Sequence, residues 1–424
     1  MKIFLRRRLD NQASILFVTM VISAVVGLTL GGYLTLTAGQ QSSVARSQRW
    51  NAALDLAEAG IEEGLAQVNS SPDDFSANTW GVTSGTNFGP QLRTLAAGKY
   101  GVIVQGTNAP IVYATGMISA PISGTVFKRI VRVTTQVLPR FNVALGAVND
   151  IDMNGNGMAT DSWNSHSTNL SVNGQYDPSR TSTNGDVASQ QGIVNIGNHT
   201  IDGNLYLGPT ATYVSNTNNI LGDLDKNYNV NFPDVKLPAA FATALPAETI
   251  GTGSKTTNYI HSDGYFIVNN NYPIVINTNV NAKIEITANF DNSITLWGGM
   301  TNSPTVAIYD NPPANGSLTI SGNGTGGAVN GTPLNFLVYG LPTMTSITLS
   351  GTSSFIGAIY APEASLTLNG GGNSNNLMGA AIVKTVTLNG HYDFHYDEAL
   401  ADWGPAKSFT ANSWQELSVA GNFL

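Results

Sequence analysis

Two stretches carry side chains at spacings that suit a metal ion. In Asp150-Ile-Asp152-Met-Asn154-Gly155, oxygen donors occupy the first, third and fifth places of a calcium-type loop, and Asp161 stands at the twelfth, where a bidentate acid would close it. Calcium is the candidate ion. Against it, no helices flank the segment, the closing residue is Asp rather than Glu, and IDMNG also reads as a strand of a repeat. The second set is His391, Asp393, His395 and Asp397, alternating with Tyr392, Phe394 and Tyr396. Period two puts the four polar groups on one strand face. Positions two apart on a strand lie ~6–7 Å from each other, so a polar outer face over aromatic inner residues explains the pattern as well.

Acid–base catalysis asks for converging carboxylates, or a base beside metal-binding acids. Between Gly316 and Asn389 the only charged side chains are Glu363 and Lys384. Asp150, Asp152, Asp161, Asp177, Asp186 and Asp202 follow no recognisable spacing. The expectation is a protein that is not an enzyme and needs no cofactor beyond the candidate calcium. The absence of cysteine excludes disulfides, thiol chemistry and cysteine-based zinc sites. A formal net charge of −8 argues against nucleic acid or anionic lipid as the main partner.

The element that must position everything else lies at the front. Ala13–Ala38 is an uncharged, proline-free run of 26 residues. At ~1.5 Å per residue it spans about 39 Å, enough for a tilted transmembrane helix (14–38). Proline stays away until Pro72, and Leu54, Ala57, Ile61, Leu65 and Val68 recur at spacings of three and four. One helix over 14–71 is expected, its first half in lipid and its second half on a soluble module. Lys2, Arg6, Arg7 and Arg8 precede the run, so the positive-inside rule puts the N-terminus in the cytoplasm and the bulk of the chain outside. Gly27, Gly31 and Gly32 supply the spacing that lets membrane helices approach closely.

A basic leader, an abrupt apolar helix and the amphipathic extension ALDLAEAGIEEGLAQV (53–68) resemble the N-terminus of type IV pilin-like proteins, in particular PilX-type minor pilins. The resemblance implies that a prepilin peptidase removes the leader (1–13) at Ala13–Ser14, and that mature helices pack together as a filament core. Such chains ordinarily have Gly, an aromatic and Glu where this one has Ala13, Ser14 and Val18. A missing glutamate at that last place resembles tip-type minor components. Cleavage would take away four basic residues and one acidic one, moving the net charge to −11.

From Lys99 the apolar period becomes two, in KYGVIVQG (99–106), IVYATGMIS (111–119) and TVFKRIVRVTTQVLP (125–139). Antiparallel strands under the helix, within a small αβ module at 72–139, would bury its apolar stripe. After Arg140 a phrase repeats: aliphatic–Thr–aliphatic–x–Gly begins at Ile294, Leu318, Ile347, Leu366 and Val386. Looser echoes begin at Ile151 and Leu170, and FIGAIYAP (355–362) returns as LMGAAIVK (377–384). About twenty residues per turn fits a right-handed parallel β-helix, here a β-solenoid over 140–398, with 399–424 as its C-terminal cap. The weakest periodicity is at 210–270. A β-sandwich is the alternative. The fold class expected is α+β, mostly β. DSWNS (161–165), FIGAIYAPEASLTLNGGG (355–372) and FHYDEAL (394–400) also resemble the β-rich regions that follow PilX-like N-termini.

The expected function is a non-catalytic pilus-like subunit of the bacterial inner membrane before assembly, displaying the solenoid in the periplasm or outside the cell. Other pilin-like subunits and the assembly machinery are its expected partners. Surface glycans are further candidates, through Trp163, Trp297 and Tyr360. The alternatives are a membrane-anchored carbohydrate-binding protein or polysaccharide-active enzyme, and a structural filament or surface-layer protein.

Overall fold

The protein is described by a computed structural model. It covers residues 10–418 except 71–79, 97, 108, 121–123, 154–158, 216–218, 229, 231, 278, 297–304, 322–325, 328–330, 352–353, 371–375, 391 and 403–406. One long helix is followed by mostly β structure, with both antiparallel and parallel pairing. The chain divides into two compact units: Met1–Val68 with Phe75–Gln136 and Ala411–Leu424, and Asn69–Asp74 with Val137–Thr410.

In the first unit, helix α1 runs unbroken from Asp10 to Ser70. Residues 15–36 are all exposed, and this stretch is long and apolar enough to cross a membrane. The second half lies on an antiparallel meander of β1 (Val82–Ser84), β2 (Asn87–Leu95), β3 (Gly98–Gln105), β4 (Ile111–Ser119) and β5 (Val126–Pro139). Period two selects its inner face: Val102–Ala114–Val131 and Val104–Val112–Val133 are cross-strand rows, all buried.

Small residues bring helix and sheet into contact. A Cβ on Gly60 would lie 2.9 Å from the Ala114 Cβ, and one on Gly64 would lie 2.4 Å from the Val112 Cγ1. From the sheet side, a Cβ on Gly116 would reach 1.9 Å from the Ala53 carbonyl oxygen. The buried stripe is therefore Ala53, Leu56, Ala57, Gly60, Ile61, Gly64 and Val68, while Leu54 and Leu65 are only half-buried. Sequence reading favoured large apolar residues, but here close approach is made by small ones.

The C-terminal segment departs from expectation. Lys407–Leu417 is a strand beside β5, the sixth of the antiparallel sheet, so it does not cap a solenoid. Arg129 on β5 donates from Nε to the Glu416 carboxylate at 2.6 Å, its second contact to that group coming from Nη2, and its guanidinium stands 5.0 Å from the Trp50 ring centroid. A nearly buried arginine needs such a partner, and the chain returns to supply it.

Among the described residues of the second unit the strand pairs are parallel, save the antiparallel Glu248–Ile250 with Thr257–Ile260 and two isolated antiparallel bridges. A sandwich needs antiparallel neighbours. Three ladders run through the unit. The first passes through Gly264–Val268, Ala282–Ile286, Val306–Asp310, Phe336–Gly340 and the front of Phe355–Gly370, then through Asn376–Asn389 to Leu145–Ala147, Val187–Ser189 and Leu205–Leu207. The second aligns Leu318, Ile347, Leu366, Val386 and Ile151, so the repeated phrase is a set of register partners. The phrase at Ile294 lies on the third ladder, with Ile274 as partner. Val172 of the Leu170 echo pairs only with Gln175 in a local turn.

Stacking order is not chain order. Strand Asn376–Asn389 pairs with Leu145–Ala147 and Ile151–Asp152, and Asp393–Asp397 pairs with Ala159–Trp163. Two runs of strands, 145–225 and 245–397, thus meet at their first and last members. Within 210–270, where the periodicity is weakest, the described residues of 226–244 connect the runs and form no ladder. They lie along the outer row of the first ladder, where Tyr228 stacks on Tyr206 (centroids 5.5 Å) and Phe241 packs edge-on to Tyr265 and Tyr309 (5.0 and 5.3 Å). The Tyr360 hydroxyl donates to the Pro233 carbonyl at 2.8 Å.

Two substitutions test this packing. Gly116→Ala should cost about 1–3 kcal/mol in denaturant unfolding, because the added methyl meets backbone, whereas Gly81→Ala, with open space around it, should cost little. Phe241→Ala should cost about 3–5 kcal/mol and make the 226–244 segment protease-sensitive.

Candidate functional site

The acids of the calcium-type loop fall on different ladders. The Asp150 carboxylate accepts from the Ile193 N–H at 2.7 Å, and Asp152 accepts from the Asn195 side-chain amide at 3.0 Å. Both belong to contacts between neighbouring strands of the second ladder. Asp161 sits on the third, and Asn154 lies outside the described residues. The loop therefore does not bring its acids to one centre. Among the described residues no group of three or more His, Asp or Glu is placed to hold a metal ion.

The second constellation is also dispersed, for a related reason. His391 lies outside the described residues. Asp393 accepts from the Ala159 N–H, and Asp397 accepts from the N–H groups of Ser165 and Ala399. Each acid serves the strand or turn beside it. Trp163 and Tyr360 are buried, which removes them as a sugar platform, and Trp297 lies outside the described residues.

What the ladders do bring together is a partly buried cluster that spacing did not announce. Pairing of Asp393–Asp397 with Ala159–Trp163 sets His395 opposite Asp161, with Nδ1 2.6 Å from Oδ1. The other oxygen of Asp161 accepts from the Tyr176 hydroxyl at 2.7 Å. Tyr176 arrives on the excursion between Trp163 and Val187, stacks on the His395 ring at 3.8 Å, and meets Trp163 edge-on at 6.1 Å. Burial and the Asp161 carboxylate both push the Tyr176 phenol far above its ordinary range, so it stays a donor.

An Asp–His pair is half of an acid–base relay, and a nucleophile is the other half. Ser162, adjacent to Asp161, instead donates to Glu398 at 2.8 Å, and Glu398 also takes the Asn184 amide. These contacts tie the excursion 164–186 to the strands, and the cluster reads as a polar lock. Two neighbouring acids feel the charges of the cluster. Burial pushes the Asp186 carboxyl up despite hydrogen bonds from Asn204, and burial followed by the Asp161 charge does the same for Asp202.

Asp310 is a separate case. It is fully buried at the end of the Val306–Asp310 strand, in register with Ile286 and Gly340, and neither carboxyl oxygen has a hydrogen-bond partner among the described residues. Burial alone pushes its pKa up to about 8. The folded chain therefore holds a proton that the unfolded chain has lost above pH ~4. Stability should fall as pH rises from about 4 to 8, by up to ~1.4 kcal/mol per pH unit, and level off above that. Denaturant unfolding of Asp310→Asn across this range should show a flatter slope and greater stability at pH 7 than the parent.

Residues 250–403 match a family described as a domain of unknown function, DUF7305. The match covers about a third of the chain and takes in the run of strands from 257 to 397, but not the strands of 145–225 stacked in register upon it. No curated protein matches. Among solved structures, the competence-associated pilin ComZ from Thermus thermophilus matches with a TM-score of 0.33 and 10% identity, over 87% of this chain and 98% of ComZ. A likeness at that level does not establish a shared fold.

Proposed function

We propose that the chain is a non-catalytic, type IV pilin-like subunit of the minor, PilX-like kind. It enters the membrane by the first half of α1, assembles with other pilin-like subunits through the same surface, and displays a parallel β-solenoid outward for adhesion or surface contact. The observation that carries this reading is the division of one continuous helix. Residues 15–36 are exposed among the described residues, while Ala53–Val68 are seated on an antiparallel meander. A plain membrane anchor has no need to continue rigidly into a folded module, whereas a subunit that must transmit its orientation to neighbours does.

The solenoid part of the reading is supported by three parallel ladders whose partners in the repeated phrases lie 29, 19 and 20 residues apart. Placement at a filament tip is supported by Val18, which stands where a body subunit would use a glutamate to pair with a neighbour. The N-terminus is then cytoplasmic in the precursor, and the β structure lies on the far side of the inner membrane.

Processing provides the test. Mass spectrometry of the chain recovered from cells carrying a prepilin peptidase should find Ser14 as the first residue, and Ala13→Lys should leave the precursor intact. A wild-type chain still beginning at Met1 in such cells would contradict the pilin-like reading and favour a simple anchor.

A further inference from the structure

The second ladder carries a regular polar array on its outer side. Thr319, Thr348, Thr367 and Thr387 are register partners on four successive strands. Within each strand a small polar residue flanks the threonine two places away on either side: Ser-Leu-Thr-Ile-Ser, Ser-Ile-Thr-Leu-Ser, Ser-Leu-Thr-Leu-Asn and Thr-Val-Thr-Leu-Asn. The aliphatic residues between them are buried, none more than 8% exposed, so the polar positions face the other way. All four threonines are half-buried, and among the described residues none of their hydroxyls is hydrogen-bonded. The threonine row contains no charge or aromatic ring, and acids close it at both ends, Asp291 beyond Thr319 and Asp152 beyond Thr387.

We propose that this array is a binding face for the ordered water of an ice surface. Parallel strands repeat every ~4.8 Å and alternate residues along each strand every ~6.6 Å, giving a two-dimensional grid of hydroxyl and amide groups. A tetrahedral water network built from ~2.75 Å O–H···O bonds repeats its oxygens every ~4.5 Å within a layer and every ~7.3 Å along the stacking direction. The two grids agree to about a tenth in both directions. Threonine supplies a hydroxyl that can enter such a lattice and a methyl group that restricts the water around it. Its branched side chain is already held to few rotamers, so little entropy is lost on docking.

Other occupants fit less well. A crystalline polysaccharide is gripped by aromatic platforms, and the first ladder's tyrosines are covered by residues 226–244. Polyanions need basic residues, and a second copy of the chain would need an apolar centre to its interface. The array has neither. The proposal does not depend on the pilin-like reading, since it concerns only the β stack.

The test uses the full chain in lipid nanodiscs, with slowly grown ice and an equimolar inert protein as the reference solute. Wild-type chain should be enriched in the ice several-fold over that reference and should slow recrystallisation of fine-grained ice. Thr348→Lys and Thr367→Lys should each bring the enrichment down to the level of the reference. Ser254→Lys, on an exposed turn away from the array, should not. Thr348→Val keeps the side-chain shape and guards against misfolding as the cause; it should lose part of the enrichment with an unchanged melting curve. Exclusion of wild-type chain from ice to the same extent as the reference, or full enrichment of the lysine variants, would overturn the proposal. So would capture by crystalline cellulose or chitin, abolished by Thr348→Lys, without enrichment in ice. Ser14 processing is read separately, so failure of either idea leaves the other standing.

Discussion

One helix of 61 residues is held by its own chain along only its second half. Fourteen large apolar side chains between Ile15 and Leu36 are between 46% and 77% exposed. At about 1.5–3 kcal/mol for each such side chain, leaving them in water would cost tens of kcal/mol, more than the whole stability of an ordinary domain. Lipid can cover that surface, and so can helices of the same kind.

The attachment of that element rests on close approach. Gly60, Gly64 and Gly116 remove the side chains that would otherwise separate helix from sheet. Glu63 adds a polar fastening on the same seat: burial pushes its carboxyl up, but hydrogen bonds from Arg93 and Tyr100 outweigh this and hold it below the ordinary range. That contribution is present above the unfolded pKa and is lost as pH falls through the folded one. Asp310 works in the opposite sense inside the ladders and over a higher range: the Glu63 contribution is complete above the unfolded carboxylate pKa, whereas that of Asp310 is lost as pH rises towards about 8.

Much of this was legible in the residues. The uncharged run at Ala13–Ala38, the alternation in β3 to β5 and the register of Leu318, Ile347, Leu366 and Val386 all follow from local periodicity. Stacking order was not. Period two states which face of a strand is buried but not which strand lies above it, and nothing local says that Val386 is followed by Ile151. The same limit hid the candidate site. Asp161 and His395 are 234 residues apart and meet only because two runs of strands join there. Residues 226–244 show no alternation because they rest on tyrosines rather than pair in a ladder. The pairing of Lys407–Leu417 with β5 is not legible locally either, because Arg129, which takes Glu416 as its partner, lies far back in the chain.

The central claim is that the front half of α1 must be covered by lipid or by its own kind. The direct measurement is sedimentation of the purified full-length chain, first in detergent and then after the detergent is removed. The account predicts a single protein copy per micelle, and association into larger particles or uptake into added vesicles once the detergent is gone, with the charged variant Leu28→Lys shifted back toward the free chain. A wild-type chain that remained soluble and monomeric in plain buffer would contradict it.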